Sequence, residues 1–170
     1  MSESNVSAMT DVSGKYLTFH LAQEEYGVEI LKVQEIIGIM NITRVPRAPE
    51  YVRGVINLRG KVIPVIELRK KFSMNQIDYT SRTCIIVVQV ERGGQNVVMG
   101  IIVDEVSEVV DIRSEQIDPA PSFGNIVDND FILGMGKVAD KVLILLDIGK
   151  VLSDHETEKL CLIAPSEQHG

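Results

Sequence analysis

Short apolar stretches separated by polar reversals run along the whole chain. Residues 16–21 place Leu17, Phe19 and Leu21 on one face and Tyr16, Thr18 and His20 on the other, the period of a strand with one buried face. A polar reversal at 23–25 leads to predicted strands over 26–30 and 33–39. Pro46 and Pro49 then make 43–51 a loop or a single short helical turn. Residues 51–72 carry the strongest local signal: two Val- and Ile-rich runs, 54–58 and 61–66, flank Arg59-Gly60. Glycine accepts the positive φ that a tight reversal needs, so this segment reads as a hairpin with Arg59 projecting from its tip. A helical turn is expected over 67–72.

Residues 73–83 are polar and without periodicity, and read as a connection between two halves. Strands follow at 84–90, 97–103 and 106–112, with a reversal at 92–95. Residues 114–130 read as a long loop containing Pro119 and Pro121. A second hairpin is expected from 131–138 and 141–146, turning at Ala139-Asp140, with helix over 147–152 and 153–163. Residues 1–14 read as a disordered tail and 164–170 as a fraying end. About ten short, closely spaced strands favour small barrels or a sandwich over a parallel α/β fold.

The two halves repeat. Residues 27–37 align without gaps with 100–110, and 61–70 with 141–150. Apolar matches alone would carry little, but Gly27/Gly100, Glu35/Glu108, Lys61/Lys141 and Glu67/Asp147 also coincide. Two similar barrels side by side would leave a groove between them, a common place for binding.

Composition narrows the function. Hydrophobic residues make up 45% of the 170, enough for a sizeable core, and with no Trp that core is mostly Val, Ile and Leu. A formal charge of −7 and a pI near 5.0 disfavour a nucleic-acid partner, which needs clustered Lys and Arg. Cys84 and Cys161 do not suggest a disulfide framework. The N-terminal residues do not resemble a secretory signal, and no apolar run is long enough to span a bilayer. The expectation is a reduced, cytoplasmic protein that meets membranes only through a partner.

Catalytic and metal chemistry find little footing. His20, His155 and His169 are scattered, without metal-site spacing. Asp128-Asn129-Asp130 begins like a calcium loop, but Ile132 cannot supply the next ligand. Gly134-Met135-Gly136-Lys137 lacks phosphate-loop spacing and the following Ser or Thr. There is no Gly-x-Ser-x-Gly elbow, and Asp104 and Glu105, adjacent in a strand, should point to opposite faces. No catalytic residue, metal or cofactor is expected.

Lys32-Val33-Gln34-Glu35-Ile36, Arg44-Val45-Pro46, the run from Tyr51 through Glu67-Leu68-Arg69, and Gly100-Ile101-Ile102-Val103-Asp104 closely resemble the CheW family of bacterial chemotaxis coupling proteins, over about residues 15–152. The resemblance implies an all-β fold of two five-stranded, Src-homology-3-like β-barrels side by side, with short helices and a C-terminal helix. It places the first barrel at about 15–82 and the second at about 83–152, with room for strands to be exchanged between them, and a helix and tail at 153–170. It implies a non-enzymatic adaptor joining the cytoplasmic tip of a methyl-accepting chemoreceptor to the regulatory domain of the histidine kinase CheA, recruited to membrane receptor clusters, with other copies of itself in arrays as a further candidate partner. Carried over residue by residue, Val33, Glu35, Gly54 and Arg59 would face the receptor, and Phe123 would touch the kinase.

Each position also has a structural reading: Val33 as core, Glu35 and Arg59 as solvated charges, Gly54 as a backbone necessity. Asp118 is acidic where relatives can be basic, so a lateral contact there departs from the pattern. Two other functions stay open: an adaptor of a different receptor–kinase pathway, such as surface motility, and a small-ligand-binding barrel.

Overall fold

The computed structural model describes residues 12–92, 94–119, 131–152 and 156. Eleven strands are found among them: β1 (Gly14–Leu21), β2 (Glu24–Glu29), β3 (Val33–Gly38), β4 (Val52–Leu58), β5 (Lys61–Glu67), β6 (Cys84–Arg92), β7 (Gln95–Val103), β8 (Glu105–Ile112), β9 (Ile117–Asp118), β10 (Ile132–Val138) and β11 (Lys141–Leu146). One helical turn, α1 (Leu68–Lys71), follows β5, as the sequence predicts. The two-residue β9 lies inside the stretch expected to be only loop, after a 3₁₀ turn at Ser114–Gln116. The segment expected to be helical at 147–152 holds a 3₁₀ turn at Ile148–Lys150. Of residues 1–14 and 153–170, only 12–14 and Glu156 are described, and Glu156 is helical.

The strands form two sheets, ordered β8-β1-β2-β11-β10-β9 and β3-β6-β7-β5-β4. The first therefore has six strands, β9 being added to the expected five. These sheets are not the two halves of the chain. The hairpin β1–β2 sits with strands from the C-terminal half, and β6–β7 sits with strands from the N-terminal half. A boundary near residue 82 falls between β5 and β6, two strands of one sheet, so the exchange of strands is reciprocal. Two parallel pairings seal it: Leu145 lies opposite Gly27, and Val65 opposite Gly100. The aligned glycines of the repeat thus face aligned residues.

Three cores explain why the apolar runs are nearly continuous. Alternate residues of β6 split between two of them. Ile85 and Val87 join Ile56, Ile63 and Val65 inside one sheet, while Ile86, Val88 and Val90 join a central core shared by both. In β11, Leu143 and Leu145 pack with Tyr16 and Ile112 inside the other sheet, and Leu146 enters the shared core. Strands covered on both faces read as unbroken hydrophobic runs. This corrects the reading of β1 as one-sided: Tyr16 and Thr18 are as fully buried as Leu17 and Phe19, and His20 is half-buried.

The sheets curl toward closure in matching ways. After β3, at one edge, the chain continues until Thr43 bridges Val55 of β4, at the opposite edge. After β8, β9 pairs with β10. At the seam between sheets, Arg69 of α1 donates from Nε to Asp104 Oδ1 at 2.8 Å and from Nη2 to Oδ2 at 2.5 Å. Asp104 lies between β7 and β8, where the chain crosses from one sheet to the other, and Oδ2 also accepts from the Ala22 N–H at 2.7 Å. A stack of Phe19, Tyr26, Phe72 and Phe131, with centroids 5.2–5.9 Å apart, ties β1 and β2 to the end of α1 and the start of β10.

Candidate partner-binding surface

The hairpin β4–β5 is the most prominent built feature. Leu58 pairs with Lys61, leaving the two-residue loop Arg59-Gly60, with φ of 52° and 91°. Positive φ at both positions is the turn whose twist matches the flanking strands. The Asn57 side chain stiffens it by accepting the Gly60 N–H at 2.8 Å. Arg59 occupies a backbone region that favours glycine, so a side chain is held there against a conformational cost.

That side chain is 70% exposed yet held in place. Arg59 Nη1 donates to Glu35 Oε1 at 3.2 Å, and Nη2 makes a short contact with Oε2. A planar guanidinium meeting both carboxylate oxygens fixes orientation as well as distance. The hydrogen bonds from Arg59 hold the Glu35 carboxyl below the usual carboxylate range, and Glu35 in turn raises the guanidinium. The structure thus joins two of the four residues expected to face the receptor.

Val33 and Glu35 lie two apart on β3, and both are half-buried, alternating with exposed Gln34 and Ile36. Val33 packs against the shared core, so its side chain serves packing. Gly54 is buried with φ of +152°. A Cβ there would collide with the Thr43 carbonyl, whose oxygen accepts the Val55 N–H at 2.8 Å. The structure therefore places Gly54 beneath the closing segment, where it admits Thr43. Asp118 is an exposed residue of β9, paired with Lys137 at 3.2 Å. Phe123 lies outside the described residues, as do Asp128-Asn129-Asp130, His155, His169 and Cys161.

Leu31 was not singled out by its sequence context. It sits in the 3₁₀ turn Ile30–Lys32 between β2 and β3 and is 95% exposed, well beyond the other described large hydrophobics. The repeat held the signal: Leu31 aligns with Asp104, and both mark the crossing between sheets. At one crossing an ion pair locks the seam; at the other a leucine points outward beside Val33. An exposed leucine four residues before Glu35 can bury apolar area against a partner while the charge pair sets register. Among the described residues, no group of three His, Cys, Asp or Glu side chains could hold a metal ion. No helix among them is long and apolar enough to cross a membrane.

Residues 15–156 match the model of the CheW-like domain. The chain is 43% identical over 155 residues to the chemotaxis protein CheW of Klebsiella aerogenes, covering 91% of each chain. It is 31% identical to the chemotaxis protein CheW of Treponema pallidum, covering 90% of each. Among solved structures, the scaffolding protein TtCheW from Thermoanaerobacter tengcongensis superposes with a TM-score of 0.74 at 36% identity, covering 85% of this chain and 96% of that one.

Proposed function

We propose a coupling role for this chain, which belongs to the CheW-like family of chemotaxis scaffold proteins. In this reading it is a non-enzymatic adaptor that joins the cytoplasmic tip of a methyl-accepting chemoreceptor to the histidine kinase CheA, working at receptor clusters on the membrane. Residues 15–152 are its adaptor unit. The observation that carries the proposal is the Glu35–Arg59 pair, a two-point charge clamp joining β3 to a rigid hairpin tip, with exposed Leu31 in the turn that leads into β3.

The receptor tip is a helical element, and a helix docks through spaced apolar anchors with flanking polar contacts. Leu31 supplies an anchor, and Arg59 and Glu35 supply the polar register. Val33 and Gly54 support that surface from beneath: Val33 seats β3 on the shared core, and Gly54 seats Thr43 against β4. Control of the kinase then follows from linkage. An adaptor shifts autophosphorylation only by binding the active and inactive assemblies with different affinity.

The test is co-sedimentation with receptor-bearing membranes and CheA, with kinase phosphorylation measured in parallel. The expected result is that the protein pellets with receptor and raises kinase activity above that of kinase plus receptor alone. A folded protein that pellets with neither partner overturns the coupling role.

A further inference from the structure

The loop between β3 and β4 lines a cavity of about 500 Å³ that shares no residue with the Glu35–Arg59 surface. Its charge runs against the rest of the molecule. The chain carries −7 overall, but four cations line this cavity, Arg44, Arg47, Arg53 and Lys70, against two carboxylates, Glu50 and Glu67.

The floor is built rather than incidental. Glu67 is buried at the end of β5, and its carboxylate accepts the Tyr79 hydroxyl at 2.7 Å. Arg53 lies over the Tyr79 ring with its guanidinium carbon 5.4 Å from the centroid, and its charge acts on Glu67. One carboxylate, one ring and one guanidinium therefore hold each other in place. The Glu67 N–H is satisfied by the Tyr51 carbonyl at 2.7 Å, which fixes the strand end beneath.

The rim is different. Arg44, Arg47 and Lys70 are exposed, and Arg47 is held at φ of 66° between Pro46 and Pro49. Three exposed cations and a fourth held on the Tyr79 ring, all lining one cavity the size of small-molecule sites, favour a compact ligand of multiple negative charge. Glu67, lining the cavity with Arg53, rejects a neutral apolar guest, which would leave buried charge unsolvated.

We propose that this cavity binds a multiply charged small oxyanion, phosphate-bearing or polycarboxylate, with Arg44, Arg47 and Lys70 donating at the rim and Arg53 from below. This goes beyond the coupling role and does not depend on it.

The test is isothermal titration calorimetry of the full chain with inorganic pyrophosphate and, separately, citrate, at constant ionic strength. One saturable site is expected, and the tighter of the two probes tells phosphate from carboxylate chemistry. The double variant Arg44→Gln/Lys70→Gln, both at exposed positions, should weaken it by at least about tenfold. Arg82→Gln, whose guanidinium pairs with Glu105 at 3.6 Å outside the cavity, should leave it unchanged. No saturable heat with either probe, or equal binding by the folded double variant, overturns the proposal.

Discussion

Gly54 and Gly134 occupy the same place in the two sheets. Each follows a register shift at the start of its strand, in β4 between Val52 and Gly54 and in β10 between Ile132 and Gly134. Gly54 lies opposite Val65 and Gly134 opposite Leu145. A Cβ on Gly134 would sit 2.7 Å from Ile117 Cγ2 and 2.9 Å from the Asp118 carbonyl oxygen, as one on Gly54 would strike the Thr43 carbonyl. Both glycines admit the segment that closes the sheet, and both obstructions include backbone, which cannot swing aside as a flexible side chain can.

Gly54→Ala should therefore destabilise the fold by at least about 2 kcal/mol, from backbone strain and forced displacement of Thr43. Chemical denaturation measures it. Any lost receptor binding should track lost fold, recovering under stabilising conditions. A variant that melts like the parent would show that Thr43 can give way.

For Arg59 and Glu35 the expectation is a charge-swap test. Arg59→Glu places two carboxylates together and should reduce receptor affinity about 10–100-fold, with little change in melting temperature because Arg59 is largely exposed and free to turn to solvent. The swap Glu35→Arg/Arg59→Glu restores the clamp with reversed polarity. It should keep the fold but not the affinity if the receptor reads the charges in place. Restored binding in pull-down would show instead that the clamp matters only for holding the hairpin.

Asp104 should make the fold sensitive to acid. Burial pushes its carboxyl up, but hydrogen bonds from Arg69 and the Ala22 N–H outweigh that and leave it below the ordinary aspartate value. A depressed native pKa contributes stability that is complete above the unfolded value and lost as pH falls through the native one. Asp104→Ala should cost about 2–4 kcal/mol near neutrality by stranding Arg69, and the gap to the parent should narrow in acid. Urea denaturation across an acid pH series checks both.

Glu67 runs the other way. Burial raises its carboxyl, and the hydrogen bond from Tyr79 partly opposes the rise. Tyr79→Phe removes that opposition, so the Glu67 pKa should climb further, seen as a later titration of its side-chain carboxyl resonance. A raised native pKa contributes stability that is complete below the unfolded value and lost as pH rises through the native one. The variant's stability should therefore keep falling to higher pH than the parent's, and by more in total. A downward pKa shift would mean that water or Arg53 replaces the phenol.

Much of this was legible in the chain. The Arg59-Gly60 turn, β11 and the repeat follow from local chemistry, since a two-residue turn and a run of Val and Ile declare themselves within a few positions. The partner of each strand does not. Gly27 and Gly100 announced equivalent sites, but only the structure shows them facing Leu145 and Val65 across parallel pairs, because a run buried on both faces says nothing of its neighbour. The same holds at the surface. Arg59 was readable as exposed, but its grip on Glu35 depends on how the curl of one sheet brings the hairpin tip to β3. Leu31 looked like any strand-flanking apolar residue, and β9 was too short to have a period.

The reciprocal exchange of β1–β2 and β6–β7 has a consequence for the protein's birth. Tyr26 waits for Ile144 before its sheet has a middle, so the hairpin of β1 and β2 keeps one edge of β2 unpaired until β11 has left the ribosome. Such distant pairing makes folding slow and concerted. Neither half can be cut away as an independent module, since each would emerge with the other's hairpin in place of its own.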